Sequence, residues 1–156
     1  MALDVTQTSF EAEAPASVAP PRKRTLAAAA SIYFAIVFAA GLVLGPIRVF
    51  YLEPWLGPTL AVLLETPFLL AAMAFAGRWA PIWTKLTPTV MSLLGVGVLA
   101  LAFQQVADLA VGSGLRGMTL NEQLALFATP PGWIYLFDLA AFALAPLVMR
   151  TARHEP

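Results

Sequence analysis

Long apolar stretches separated by short polar segments dominate the chain after its first 25 residues. They cover about residues 26–45, 59–76, 88–111 and 133–149. A helix needs about 20 apolar residues to cross the ~30 Å hydrocarbon core of a bilayer, and these stretches approach or reach that length. None of them alternates apolar with polar residues, as the strands of a membrane barrel do. The pattern predicts an all-α fold, a four-helix transmembrane bundle.

The overall composition leaves too little polar material to bury four such helices in water. Hydrophobic residues make up 60% of the 156 residues and charged residues only 12%, whereas a soluble domain carries about 25% charged residues. We therefore expect the lipid bilayer to surround the helices. The chain has no Cys and one His, so we expect no metal site and no cofactor. Its net charge of zero gives no basic field for nucleic acid.

Polar segments at the two ends and between the apolar stretches predict domains and orientation. Residues 1–25, with many Pro and acidic residues, are expected to form a disordered cytoplasmic tail, followed by a membrane domain at 26–150 and a second cytoplasmic tail at 151–156. Cytoplasmic segments of membrane proteins carry an excess of Lys and Arg. With the N-terminus inside, seven of the nine cationic residues lie inside, and only Arg48 and Arg116 lie outside. Both termini are therefore predicted to be cytoplasmic.

The third connection, an outer loop at residues 112–132, contains a helix-start signal. The segment Thr119-Leu-Asn-Glu122 has the spacing of a capping box, in which the Thr hydroxyl and the Glu carboxylate satisfy free amides. Leu120, Leu124 and Phe127 then fall on one helical face. We expect a short amphipathic helix here, lying on the outer membrane surface.

Polar residues occur in the outer half of three predicted spans and just beyond the outer end of the first. A charge inside a bilayer costs at least about 2.5 kcal/mol on insertion scales, so it normally faces the bundle interior and finds a partner. A rise of about 1.5 Å per residue places Arg48, Glu65, Asp108 and Asp138 in one layer, and Gln104 lies one turn before Asp108. We predict that Arg48 pairs with Glu65, and that Asp108 or Asp138 is protonated or hydrated.

Two interpretations of this polar layer remain open. The first is a structural network that fixes the register of the helices. The second is a binding site for a proton, a cation or an amine-bearing ligand that opens to the outer side, formed by Arg48, Glu65, Gln104, Asp108 and Asp138. Ionisable residues within a membrane favour a functional site by default, but two of these lie near the membrane edge.

Glycines predict where the helices approach each other closely. Gly41 and Gly45 form a GxxxG pair in the first span, and Gly95 and Gly97 lie in the third. Because lipid provides no hydrophobic force between helices, small residues allow the backbone contacts that hold membrane helices together. We expect these glycines to pack helices within one bundle rather than to form a homodimer face.

The sequence shows no set of residues that indicates catalysis. It has no serine in a nucleophile elbow and no glycine-rich phosphate loop, and His154 is the third residue from the end of the sequence. We therefore predict that the protein is not an enzyme but a non-catalytic subunit, assembly protein or scaffold of a membrane complex. The alternative is a small transporter or ligand-binding bundle that uses the polar layer.

The segment from Gly45 to Trp79 resembles a family of small, uncharacterised bacterial inner-membrane proteins. The resemblance rests on Gly45-Pro46-Ile47-Arg48, on Glu65 and Pro67, and on Arg78-Trp79, and it extends more weakly towards Arg153. Members of the family have four predicted spans and no assigned activity. The resemblance thus implies a multi-pass protein of the bacterial inner membrane and no particular chemistry.

Overall fold

The computed structural model describes residues 23–151, and within this range it contains helices and turns but no strand. The helices are α1 (Lys23–Ile47), α2 (Glu53–Trp83), α3 (Val90–Gly114), α4 (Leu120–Leu126) and α5 (Pro130–Thr151), and a π-helical turn (Arg48–Leu52) joins α1 to α2. The predicted all-α class is confirmed for this part of the chain. The tails predicted at 1–25 and 151–156 lie almost entirely outside it, although residues 23–25 already belong to α1 and Thr151 belongs to α5.

Helical runs long and apolar enough to cross a membrane occur three times within the described residues. They are Lys23–Trp83, Val90–Gly114 and Pro130–Arg150. The first run is 61 residues long because α1, the π-helical turn and α2 follow one another with no residue between them. The chain nevertheless bends at Gly57, whose φ of 75° and ψ of 166° lie outside the helical region. Glycine adopts a positive φ at little cost because it has no Cβ.

Contacts between α1 and α2 show that the two helices run antiparallel. Leu44 near the end of α1 lines a cleft together with Leu64 and Phe68 of α2, and Arg48 contacts Glu65. The π-helical turn and the bend at Gly57 therefore reverse the chain direction within one long helical run.

The four long helices form a bundle in the order α1, α2, α5, α3 around its axis. Helices α1 and α3 run parallel, since Leu26 lies against Gly95 and the ring centroids of Phe34 and Phe103 are 6.0 Å apart. One end of the bundle contains the π-helical turn and α4; we call it the acidic end. The other contains the start of α1, the α2–α3 connection and the end of α5; we call it the basic end.

A hydrogen bond across the bundle axis ties α1 to α5. Pro146 has no backbone amide, so the carbonyl of Phe142, four residues earlier, lacks its helical donor. The Tyr33 hydroxyl donates to this carbonyl over 2.7 Å, and the two rings pack with centroids 4.6 Å apart and planes tilted by 32°. Tyr33, Phe142 and Pro146 are almost completely buried. The tyrosine thus satisfies a carbonyl that the proline leaves free in the apolar core.

The glycines of α3 pack as predicted. A Cβ on Gly97 would collide with the backbone carbonyl of Ala143 in α5, and one on Gly95 would lie 3.0 Å from the Leu26 side chain. These positions let α3 approach α5 and α1 closely.

The glycines of α1 do not show the expected close approach to a neighbouring helix within the described residues. No atom of the described residues lies within 4 Å of a Cβ added at Gly41 or Gly45. The buried residues of α1 end at Val37, and Leu42 and Val43 are more than half exposed. The last turns of α1 therefore extend beyond the close-packed part of the bundle, and an added Cβ at either glycine would meet no atom of the described chain.

The short helix predicted in the third connection is present as α4. Its capping box is complete: the Thr119 backbone amide donates to Glu122 over 2.7 Å, and the Glu122 amide donates to the Thr119 hydroxyl over 3.3 Å. The hydrogen bond from the Thr119 amide, with a second from its hydroxyl, lowers the pKa of Glu122. Leu120 and Leu124 are exposed, as a helix that rests on a membrane surface would have them.

Candidate functional site

The predicted polar residues all lie towards the acidic end of the bundle, in three sets of contacts. The first set is an ion pair between the π-helical turn and α2. Arg48 Nε lies 3.3 Å from Glu65 Oε2, so the predicted pairing is confirmed. It also lies 3.5 Å from Glu53 Oε1, a second partner that was not predicted. The side chain of Glu65 is 9% exposed and that of Glu53 is 31% exposed. Glu65 therefore has less water to solvate its carboxylate, and its charge is stabilised mainly by the Arg48 guanidinium.

The second set links α2 to α5 through Asp138. The Thr66 hydroxyl lies 3.0 Å from Asp138 Oδ2 and 3.1 Å from the Val62 carbonyl oxygen. A hydroxyl has one proton to donate, so both contacts are full hydrogen bonds only when Asp138 carries a proton and donates it to Thr66. Asp138 is 4% exposed, and its Oδ1 has no hydrogen-bond partner among residues 23–151.

The third set links α3 to α5 through Asp108. The Gln104 amide donates to Asp108 Oδ1 over 2.9 Å, as expected for residues one turn apart. The Tyr135 hydroxyl donates to Asp108 Oδ2. The Gln105 side chain lies beside the Tyr135 hydroxyl, although its amide nitrogen has no partner with hydrogen-bond geometry in the described part of the chain. Tyr135 therefore joins Asp108 to α5.

Arg116 lies close enough to two of these sets to interact with them electrostatically. Its positive charge interacts with Glu65 and with Tyr135. Glu65 also interacts electrostatically with Asp138. Arg116 itself is exposed, in the connection after α3. The structure thus brings Arg48, Glu65 and Asp138 into one neighbourhood. Asp108 and Gln104 stand in a separate set that Tyr135, one turn before Asp138 on α5, connects to it.

Sequence reasoning missed Glu53 and Tyr135 at this site, and it assigned Thr66 only to backbone groups of its own helix and not to Asp138. Tyr135 precedes Asp138 by three residues, so helical spacing already places both on one face. Glu53 follows Arg48 by five residues, a separation that a π-helical turn closes and an α-helix does not. Since no sequence pattern announces the π-helical turn, no comparable signal was available for Glu53.

The space beside the polar layer limits its chemistry. A cleft of about 310 Å³ opens between α1 and α2, and Glu65 is the one ionisable residue among the described residues that line it. Its other lining residues are apolar: Leu44, Ile47, Leu52, Leu64 and Phe68. In residues 23–151, no group of three or more His, Asp or Glu side chains is placed to hold a metal ion. The arrangement can tie helices together and hold protons on its carboxylates.

No protein-family model matches this chain, and no curated protein or solved structure matches it significantly. The resemblance to small bacterial inner-membrane proteins therefore stays a prediction.

Proposed function

We propose that the chain is an integral membrane protein that crosses the bilayer four times. Helix α1 has 25 residues, and α2 continues for a similar length after the bend at Gly57. At about 1.5 Å per residue, each exceeds the ~30 Å of a hydrocarbon core. Large apolar side chains project outwards from α2, α3 and α5, including Phe68 at 64%, Val106 at 68% and Val148 at 51% exposure. In lipid, exposure of this apolar surface carries none of the free-energy cost that it has in water.

The charge distribution supports cytoplasmic termini. The five described carboxylates lie at the acidic end, and five cations lie at the basic end: Lys23, Arg24, Arg78, Lys85 and Arg150. Segments rich in Lys and Arg stay on the cytoplasmic side. Trp79 and Trp83 lie near the basic end and Trp55 and Trp133 near the acidic end, as in the aromatic belts at the two membrane surfaces.

Within that membrane we assign the protein a non-catalytic role, as a subunit, assembly protein or scaffold. The observation that carries this assignment is that each charged side chain of the polar layer contacts another side chain of the described chain, although single atoms such as Asp138 Oδ1 have no hydrogen-bond partner there. Arg48 pairs with Glu65, Asp138 contacts Thr66, and Asp108 accepts hydrogen bonds from two side chains. Such contacts fix the register of α2, α3 and α5 and the turn after α1. A catalytic site would instead hold a nucleophile, a base and a place for a reacting atom together.

The acidic end of α1 offers a surface for association. Gly41 and Gly45 have no neighbour within 4 Å of an added Cβ among the described residues. Glycines at a four-residue spacing allow another membrane helix to approach the backbone closely. A subunit that binds a partner helix needs such a surface, whereas an isolated carrier does not.

Purification in a mild detergent, followed by native mass spectrometry, tests this assignment. We expect the chain to be recovered with further protein subunits. Glu65→Gln should lower the yield of folded protein, because it leaves the Arg48 charge without its inner partner, while the complexed fraction of the folded protein stays unchanged. Glu53→Gln is the matched control, since it removes the more exposed partner of the same guanidinium. Recovery of the wild type only as a lone monomer would refute the subunit role.

One observation favours the alternative of a small transporter or ligand-binding bundle. Asp138 Oδ1 is buried and has no hydrogen-bond partner within the described residues, and a proton or an amine could occupy that position. In proteoliposomes with an imposed pH gradient, such a protein would move protons or a cation. Asp138→Asn would abolish that movement while the variant still folds. An equal flux in the wild type and the variant would exclude a site at Asp138.

A further inference from the structure

A second cleft lies at the basic end of the bundle, far from the polar layer. It has a volume of about 400 Å³ and opens between the last turns of α2 and α5 and the first turn of α3. Two of its lining residues are cations, Lys85 and Arg150. Most of the remaining wall is apolar: Pro81, Ile82, Leu86, Leu93 and Pro146. The cleft therefore combines an apolar wall with two positive charges.

These two cations have no anionic partner in residues 23–151. The ion pairs of that part of the chain both involve Arg48, and its carboxylates all lie at the acidic end. The N-terminus of α3 also faces this cleft, since Pro88 and Leu93 line it, and the helix dipole adds positive potential there. The cleft thus presents positive charge that the described chain does not neutralise.

The backbone at Lys85 adds an independent observation. Lys85 has a φ of 53°, a left-handed conformation that Gly and Asn adopt at lower cost than residues with long side chains. A cation therefore occupies a turn position at which the backbone alone would favour a smaller residue. Strained residues of this kind concentrate at binding sites, because the surrounding structure holds them in place.

We propose that this cleft binds the headgroup of an anionic phospholipid from the surrounding membrane. The phosphate lies between Lys85 and Arg150, and an acyl chain follows the apolar wall beside Leu86 and Leu93. Basic pockets between membrane helices on the cytoplasmic side suit such headgroups. An apolar wall beside two cations suits a lipid, which has an acyl chain as well as a charged headgroup, better than a free anion. The proposal rests on membrane insertion with the basic end on the cytoplasmic side, and it does not depend on the role of the chain as a subunit.

Lipid binding to the purified, delipidated full-length protein in a neutral detergent tests the proposal. Native mass spectrometry would measure the dissociation constants of phosphatidylglycerol and phosphatidylcholine. The test variant combines Lys85→Asn, which keeps a residue suited to the left-handed turn, with Arg150→Gln. The matched control combines Lys23→Gln with Arg24→Gln, which removes two cations from the same end of the bundle but outside the cleft. A thermal unfolding transition verifies that each variant is folded.

We expect the wild type to bind phosphatidylglycerol more tightly than phosphatidylcholine. Each cation near an anionic lipid contributes about 1 kcal/mol, so the test variant should bind phosphatidylglycerol about 30-fold more weakly. The control should change by less than about threefold, since its cations lie outside the cleft. If the test variant loses its unfolding transition, Arg150→Gln alone should weaken binding about fivefold.

Three results would overturn the proposal. The wild type could bind both lipids equally, which would show that the cleft has no preference for an anionic headgroup. The control could weaken binding as much as the test variant, which would show general attraction to the basic end. Inorganic phosphate or glycerol phosphate could displace the lipid at equal concentration, which would indicate a site for a free anion.

Discussion

Replacing Tyr33 with Phe removes the hydroxyl that binds the Phe142 carbonyl and leaves the size of the ring almost unchanged. The carbonyl would then be buried without a donor, since Pro146 provides no amide to the preceding turn. A buried polar group that loses its partner destabilises a protein by about 1–3 kcal/mol. We therefore expect Tyr33→Phe to lower the free energy of unfolding by an amount in this range.

A double-mutant cycle with Pro146→Ala isolates this effect. The substitution restores an amide at position 146, which can donate to the Phe142 carbonyl as in a regular helix. In that background Tyr33→Phe should cost less than about 0.5 kcal/mol, because the carbonyl keeps a partner. The expected coupling energy between positions 33 and 146 is about 1–2 kcal/mol, within the range measured for residues that share a hydrogen bond.

The assay is reversible unfolding in mixed micelles, followed by tryptophan fluorescence as the fraction of denaturing detergent rises. Tyr51→Phe is the control, since Tyr51 is 71% exposed and its hydroxyl should not affect stability. An equal cost of Tyr33→Phe with and without Pro146→Ala would refute the reasoning, because the stabilising effect of the tyrosine would then be independent of the missing amide.

Further substitutions test other contacts of the bundle. Gly97→Ala should destabilise the protein by about 1–3 kcal/mol through overpacking, whereas Gly41→Ala should be neutral or stabilising by up to about 1 kcal/mol through helix propensity. Thermal unfolding in detergent measures both effects. Equal effects of the two substitutions would contradict the close packing at Gly97. Asp138→Asn should lower the free energy of unfolding by less than about 1 kcal/mol, because its amide can donate to Thr66 as a protonated acid would. Asp138→Ala should lower it by about 1–3 kcal/mol. A larger loss for the Asn variant in the same assay would show that Asp138 is bound as a carboxylate. The lowered pKa of Glu122 means that its capping box stabilises α4 fully above pH 4.5, the ordinary pKa of the group. This stabilisation is lost as the pH falls through the lowered pKa of the folded state. The amide NMR shifts of α4 should follow this transition in the wild type and should stay constant in Glu122→Gln.

The positions of the helices follow closely from the apolar stretches. The third stretch was predicted at 88–111 and α3 covers Val90–Gly114; the fourth was predicted at 133–149 and α5 covers Pro130–Thr151. Hydrophobicity and helix length are local properties, so one sequence suffices to find them. The second stretch was predicted too short, because α2 continues into the polar and aromatic residues at both of its ends, where backbone hydrogen bonds still favour a helix.

The contacts of the site also divide into those within one helix, which the sequence predicts, and those between helices, which it does not. Gln104 and Asp108 share a helix, so their spacing predicts their hydrogen bond. The contacts of Asp138 with Thr66 and of Asp108 with Tyr135 join different helices. They depend on which helices are neighbours and how each is rotated about its axis, and no spacing along the chain reports either property.

Residue types and their local order were enough to predict that the chain forms apolar helices and that its internal charges need partners. The packed bundle brought the Tyr33 hydroxyl to the Phe142 carbonyl, which Pro146 leaves without an amide donor, and placed Gly97 against α5. It also left no described atom within 4 Å of a Cβ added at Gly41 or Gly45. The physical reason is the separation along the chain of the residues that interact. A helix satisfies its backbone within four residues, whereas an interhelical contact requires two distant segments to meet at one depth and one rotation.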